Sequence, residues 1–474
     1  MKPLKFQISN FKFLLPLLPL TSCTLGPDFQ LPTLPGSNRW KQAEPASVAH
    51  SLPDTWWTLF GDRTLDATII TALAANSDLA AAAARVRTAR ALTGLDRARW
   101  FPQLGLSGSS GISRASEDST YDRMPRAFAI DLESVRHRAQ FELSYDPDLW
   151  GANRRRIEAS TADASAAEAR LDAGRLGIAT EVARNYFLLR GLDAQKQVLQ
   201  ETIRSRQEAL EIQQSKADAG LSDALATTRA RTELELARND LEAVDRQRGS
   251  AEHALATLCG KRPADFSIAD TATKPTPPLP AFQAGLPAEV LSRRPDVRAT
   301  AAQLRSANAR IGMAEAAFYP NLTLTGSAGF ESVEAKRFLD LENRILSLGA
   351  GLTAPIFDGG TNRANFDAAV AKRDEALASH RTALLTALRE VEDSLLDLKS
   401  LAKSRSTIEA ARDSAAETRK LALERYEKGL SPYLEVVEAD RTLLQTRLLL
   451  ARTDSEQRIT LAALAKALGG GWKP

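Results

Sequence analysis

The 474-residue chain is poor in the residues that usually carry chemistry, with two cysteines and four histidines. His50, His137, His253 and His380 show no metal-ligand spacing, and no Ser/His/Asp, Cys/His or phosphate-cradling loop stands out. An enzyme is therefore the least supported class. Beyond the first segment there is no apolar run near the roughly 20 residues that a spanning helix needs. Together with 26% charged and 43% hydrophobic residues, this excludes a polytopic helical membrane protein. An excess of one charge is missing too. The formal +3 equals Lys2, Lys5 and Lys12 of the first segment alone, so nucleic-acid binding through bulk charge has no support.

Proline is also absent, from Pro147 to Pro263. The Asp148–Gly260 stretch between them is rich in Ala, Leu, Arg and Glu, and it occurs twice. A shift of 209 positions lays Gly151 on Gly360, Asn153 on Asn362, Glu181-Val182 on Glu390-Val391, Gly220-Leu221-Ser222 on Gly429-Leu430-Ser431 and Gly260 on Gly469. A gapless offset of this length means two copies of one supersecondary unit. Ile178, Val182, Leu189, Leu192, Leu199, Ile203 and Leu210 form a seam near period 3.5, and Leu234, Leu241, Val244, Ala251, Leu255 and Leu258 continue it on a return limb. The unit is thus a helix of some sixty residues, roughly 100 Å at about 1.5 Å per residue, a tight turn, and a shorter helix returning. By itself the pattern also fits a plain antiparallel coiled-coil rod.

The start of the chain predicts an export signal over residues 1–22. A basic beginning precedes the apolar Phe13-Leu14-Leu15-Pro16-Leu17-Leu18-Pro19-Leu20, and Leu20-Thr21-Ser22-Cys23 follows. That last spacing resembles the lipobox of bacterial lipoproteins. It implies lipidation of Cys23 (a diacylglycerol and an N-acyl chain, with no other cofactor expected), and Thr24 at the next position implies sorting to the outer membrane. Cys259 is then left without a disulfide partner, as a small buried hydrophobe. Residues 23–62, with Pro27, Pro32, Pro35, Pro45 and Pro53, read as an extended tether. Trp56-Trp57 reads as an aromatic anchor of the helix expected from Arg63 to Arg99, in preference to a ligand cage.

Period-two alternation then predicts strands at about 103–115, 136–146, 321–331 and 344–356. Leu104, Leu106, Gly108, Ser110 and Ile112 share one face of the first. Such strands fit a bilayer-spanning β-barrel wall, while a water-soluble sheet with one buried face shows the same alternation. In lipid four strands cannot close, because about eight is the smallest membrane barrel and each unpaired backbone group costs several kcal/mol. The membrane reading therefore forces several copies together. The first repeat covers 63–260 with its hairpin at 152–260, a Pro-rich linker covers 261–285, the second repeat covers 286–469 with its hairpin at 361–469, and 470–474 is a tail. Asp296-Val297 matches Asp78-Leu79 at an offset of 218, so the first strand pair has a loop nine residues longer.

Several motifs together resemble the TolC-type outer membrane factors, in their NodT/OprM-like lipoprotein branch. They are Cys23 with Gly26-Pro27-Asp28-Phe29, Trp56-Trp57 with Phe60, Leu286-Pro287-Ala288-Glu289, Arg293-Arg294-Pro295-Asp296, Ala354-Pro355-Ile356-Phe357-Asp358-Gly359-Gly360, and Tyr426 with Gly429, Tyr433 and Leu434. The resemblance implies a mainly α fold with a membrane β part. Three copies make a 12-stranded barrel in the outer membrane, continuous with an α-helical barrel in the periplasm. It implies a passive exit duct that meets a periplasmic adaptor and an inner-membrane transporter of the resistance-nodulation-division type, with no nucleic-acid partner. Adaptor docking falls on Gly220, Leu221, Ser222, Gly429, Leu430 and Ser431. By turn chemistry alone, the glycines supply left-handed turns, Ser222 and Ser431 cap the next helices and Pro432 suits a first helical position.

The family's acidic rings fall on Glu435 and Glu438, which share one helix face. A solvated acidic face is the plainer reading. Ala226 stands where the family usually has Asp, and Ser431 where one well-known lock has Arg, while Tyr426 of that lock remains. Closing contacts are therefore expected between Glu438 and Arg229 or Arg231. A membrane-fusion adaptor and a structural coiled-coil lipoprotein are the alternatives. The first carries one hairpin rather than two, and the second leaves four strands idle.

Overall fold

The computed structural model describes residues 24–32, 40–41, 52–114, 133–220, 223–270, 278–280, 282 and 291–471. The signal segment, with Cys23, and the tip residues Leu221 and Ser222 lie outside the described residues. After a 3-10 turn at Trp56–Phe60, the elements run α1 (Arg63–Ala75), α2 (Ser77–Ala98), β1 (Gln103–Arg114), β2 (Glu133–Tyr145), α3 (Ala152–Asp218) and α4 (Ala224–Leu258). The second half follows with α5 (Pro295–Ala316), β3 (Asn321–Ser332), β4 (Arg344–Thr353), α6 (Thr361–Glu427) and α7 (Tyr433–Ala467).

The duplication is kept to the residue. The starts of α3 and α6, 152 and 361, differ by 209, as do their ends, 218 and 427. The bounds of α4 and α7, 224–258 and 433–467, differ by the same 209. Upstream, 77–98 and 295–316 differ by 218, and so do β1 and β3. The nine-residue difference is taken up between β1 and β2. Gly151 and Gly360, Gly220 and Gly429, and Gly260 and Gly469 all hold positive φ.

The chain divides into two compact units. One comprises Met1–Gln30, Arg90–Ala162 and Leu304–Glu375; the other comprises Leu31–Ala89, Asp163–Gln303 and Ala376–Pro474. The first holds a single four-stranded antiparallel sheet in the order β1-β2-β3-β4. Its strands agree with the sequence expectation except that 354–356 lie beyond β4. There Ile356 and Phe357 stand almost fully exposed, before Asp358 accepts the amides of Gly360 and Asn362 at the start of α6.

The second unit has the core. Trp56, Trp57 and Phe60 are buried with Leu65, Ile69 and Leu189, so the tryptophan pair is an anchor, as its sequence suggests. Tyr186 donates to Asp62 Oδ2 at 2.5 Å, while Asp62 Oδ1 caps α1 through the amides of Thr64 and Leu65. Val182, Leu189, Leu192 and Leu199 of the α3 seam are all buried.

Two expectations need correction. The helix expected over 63–99 is two helices meeting at 44°. Asn76 ends the first in an extended conformation and caps the second by accepting from the amides of Asp78 and Leu79. Its Nδ2 donates to the Leu258 carbonyl. A side chain that competes this well for backbone groups breaks a helix without glycine or proline. The linker, moreover, does not begin at 261. Ile268 is buried, and the carbonyls of Ile268 and Ala269 accept from Arg248 and Arg190, both of which also hold the buried Asp193. Two isolated apolar residues, Phe266 and Ile268, gave too little period to reveal this docking.

Candidate functional site

The sheet is the first candidate, because over the half nearest the helices the register separates an apolar face from a small, polar one. Leu106, Phe141, Ala328 and Leu346 lie in one cross-strand row, and Leu143, Gly326 and Leu348 in a neighbouring row of the same face. On the opposite face the rows read Gly105, Glu142, Ser327, Ser347 and Gln103, Ser144, Thr325, Gly349. The apolar face is uncovered within one chain. Leu106, Ile112, Leu346 and Leu348 are 72%, 76%, 76% and 80% exposed. A water-soluble sheet buries its apolar face, so the exposure separates the two readings that alternation left open.

Aromatic side chains gather in the same unit where the strands meet helices. Trp100, Phe101, Phe318 and Tyr319 are exposed at the ends of α2 and α5, and Trp150 stacks on Tyr319 at 4.8 Å while donating to the Pro320 carbonyl. Sequence reasoning took Trp100-Phe101-Pro102 and Phe318-Tyr319-Pro320 only as helix stops. Their repetition at an offset of 218 was the available signal for this cluster. Thr24, beside the undescribed Cys23, accepts from Arg154 at 2.8 Å. The buried Arg155 holds the carbonyls of Leu25 and Gly26 and the Asp28 carboxylate, so the start of the tether is fastened and not loose.

The helix ends of the other unit form the second candidate. Gly220 and Gly429 end α3 and α6 at φ +72 and +71, with open space around both. The capping expectations are overturned. Asp223, not a serine, caps α4 by accepting from the Ala226 amide. Pro432 occupies the cap position of α7 rather than its first turn, and the Ser431 hydroxyl is buried without a hydrogen-bond partner. Ser222 itself lies outside the described residues, and Pro432 displaces Ser431 from the position a cap needs. Leu430 is exposed between them.

Tyr426 donates to Gln213 at 2.9 Å, lies 4.5 Å from the Lys216 ammonium and stacks near Tyr433. Glu435 is 3.8 Å from Arg425, and Glu438 is exposed. Among the described residues of one chain, no ion pair joins Glu438 to Arg229 or Arg231.

What joins the two hairpins instead is a charged node that the sequence reading missed. Arg206 of α3, 6% exposed, meets Asp440 of α7 at 3.0 Å and Glu233 of α4 at 3.4 Å, and its Nη1 donates to the Glu233 carbonyl. Arg419 of α6 reaches the same Asp440 at 3.0 Å, and Arg441 bonds Glu233. Tyr433 lies against the node, and burial pushes its hydroxyl pKa up. One signal was present: under the 209 shift Asp440 falls on Arg231, a change of sign between the copies. Among the described residues no group of His, Cys, Asp or Glu is placed to hold a metal ion.

Comparison with known proteins fits this geometry. The sequence pattern of the outer membrane efflux proteins matches residues 68–261 and 286–470. Outer membrane protein OprJ of Pseudomonas aeruginosa is 31% identical over 463 residues, covering 97% of this chain and 95% of its own. The solvent efflux pump outer membrane protein SrpC of Pseudomonas putida is 32% identical over 468 residues, covering 96% and 97%. The solved outer-membrane channel OprN superposes with a TM-score of 0.88 at 27% identity, covering 95% of this chain and all of its own.

Proposed function

This chain belongs to the outer membrane efflux protein family, and from that premise we propose that it is the outer-membrane exit duct of an efflux system. The observation that carries this reading is the four-stranded sheet with an uncovered apolar face and a small, polar opposite face. The apolar face meets lipid, the aromatic cluster at the strand ends sits at the headgroup level, and the polar face lines the passage. Four strands leave two open edges, which lipid does not tolerate. Three copies therefore close a 12-stranded barrel, and their helix hairpins enclose a periplasmic tunnel. A fusion adaptor or a coiled-coil rod leaves the apolar face without an occupant.

Cys23 carries the lipid anchor and Thr24 directs it to the outer membrane. The tips, at Gly220, Leu221, Ser222, Gly429, Leu430 and Ser431, receive an adaptor that links the duct to an inner-membrane transporter of the resistance-nodulation-division type. Glu435 and Glu438 concentrate negative charge at the inner mouth and favour cations. Since no ion pair joins Glu438 to Arg229 or Arg231 among the described residues of one chain, one of these arginines closes on it from the neighbouring chain, beside Tyr426.

Fractionation, gel migration and planar-bilayer recording test the duct. Outer-membrane location, a heat-resistant trimer and discrete conductance are expected, and a detergent-stable monomer without conductance would overturn it. Glu438→Ala and Arg229→Ala are each expected to raise open probability. Unchanged conductance and antibiotic entry in both would remove the gate assignment and leave the duct standing.

A further inference from the structure

Glycine, serine and threonine dominate the polar face of the sheet, and against that background two arginines stand out. Arg138 lies directly opposite Glu331 in the β2–β3 register, and Arg136 follows two residues away on the same face. Both reach the one carboxylate, at 3.1 and 3.6 Å. Their partners on β1 are Ser109 and Gly111, which carry no charge. The other charge on this face in the described strands is Glu142, four residues from Arg138 and so about 13 Å along the strand at about 3.3 Å per residue. Two arginines against one glutamate leave one positive charge per chain at the end of the strands remote from the helices.

Structure alone gives little reason for this arrangement. The side chains of Arg136 and Arg138 are 64% and 44% exposed, and ion pairs so open to water contribute about 0–1 kcal/mol. One arginine would staple β2 to β3 as well as two. The surplus charge matters only if something charged passes over this face.

We infer that Arg136 and Arg138, with Glu331, form an ion-selectivity collar at the loop end of the barrel lumen, which favours anions over cations there. The inference rests on the proposed duct, in which the polar face lines the passage. Three copies place six arginines and three glutamates in one ring at the loop end, with the three Glu142 carboxylates in a separate ring about 13 Å further along the strands. Twelve strands about 4.8 Å apart and tilted by about 40° enclose a radius of about 12 Å. Fixed charge on the wall acts across such a lumen at 0.01 M salt, where the Debye length is about 30 Å, and not at 1 M, where it is about 3 Å.

The test is single-channel recording of the purified full chain in neutral planar bilayers, under a potassium chloride gradient. The readout is the cation-to-anion permeability ratio obtained from the reversal potential. For the Arg136→Gln/Arg138→Gln double variant this ratio is expected to rise by roughly threefold near 0.01 M and to match the parent at 1 M, as screening dictates. Glu331→Gln leaves both arginines uncompensated and is expected to lower the ratio under the same conditions. It keeps both arginine side chains, losing only ion pairs that are open to water, and stands as the test if the double variant fails to assemble. A conducting Glu331→Gln variant with an unchanged ratio at low salt overturns the collar and leaves the duct intact. Absence of conductance in the parent protein overturns the duct, and the collar with it.

Discussion

Within one chain the hairpins α3–α4 and α6–α7 repeat the same ion pair. Lys196 reaches Asp245 at 2.7 Å in the first, and 209 residues later Arg405 reaches Asp454 at 2.6 Å in the second. Elsewhere the copies part company. Arg206 corresponds to Ala415, Asp440 to Arg231, and the buried His380 to Leu171. Leu176 and Phe187 of α3 are buried, while their counterparts on α6, Leu385 and Leu396, are exposed. Backbone geometry was thus kept through the duplication, while the side chains that fasten one hairpin to the other were divided between them. A pseudo-symmetric wall needs equal rod lengths; its fastenings need complementary, not identical, partners.

The largest expected break in that equivalence is at the node. Arg206→Ala leaves the buried Glu233 with Arg441 and the half-buried Asp440 with Arg419, and is expected to cost about 1–3 kcal/mol. Arg231→Ala, at the exposed counterpart of Asp440, is expected to stay within about 0.5 kcal/mol. Heat-induced loss of helical circular dichroism in detergent measures both. Comparable shifts would show that the node fastens nothing.

Next comes the end of the return limb. Gly260 and Gly469 both hold positive φ, so alanine costs each about 1–2 kcal/mol in backbone strain. At Gly260 an added Cβ also falls 2.4 Å from the Ala75 carbonyl oxygen, whereas at Gly469 its nearest neighbour is 3.5 Å away. Gly260→Ala is therefore expected to lower the melting midpoint distinctly more than Gly469→Ala. Equal shifts would mean that the α1 end moves aside freely.

His380 offers a smaller, pH-dependent contrast. Burial holds its imidazole pKa below the usual 6.5, while Nδ1 lies 2.9 Å from the Thr300 hydroxyl. The unfolded chain binds the proton more readily than the folded one. The contribution is therefore intact above pH 6.5 and is lost as pH falls from there through the lower folded value. His380→Leu restores the residue of the first copy and is expected to flatten the decline of the melting midpoint below pH 6.5. A parallel decline in both proteins would place the acid sensitivity elsewhere.

The duplicated backbone was legible because it rests on periodicity and on glycines that recur at a fixed offset; the hairpin ends agree with the sequence expectation within a residue or two. The break at Asn76 was not, since an asparagine inside an alanine-rich run interrupts no hydrophobic pattern. The caps were misread for a related reason. Ser222, Asp223 and Ser431 are all good capping residues, and only the path of the turn decides which oxygen meets an orphan amide. The node joins residues 206, 233, 419 and 440, whose pairing no local spacing encodes. The sheet's faces were readable, but not whether the apolar one is buried or exposed, because alternation is the same in water and in a membrane.

The smallest expected effect tests the matched pair itself. Lys196 and Asp245 are 24% and 37% exposed, Arg405 and Asp454 39% and 44%. Double-mutant cycles to alanine are expected to give couplings of about 0.2–1 kcal/mol for each. The two should separate with salt. At about 1 M the Debye length is about 3 Å, so the more open Arg405–Asp454 pair loses most of its coupling and the more sheltered Lys196–Asp245 pair keeps more. Arg405 also bonds Glu409 at 3.0 Å, so Glu409→Ala belongs in the second cycle to remove that competitor. Equal salt dependence in the two hairpins, after that removal, would extend their equivalence from geometry to energetics and confine the difference between the copies to the node.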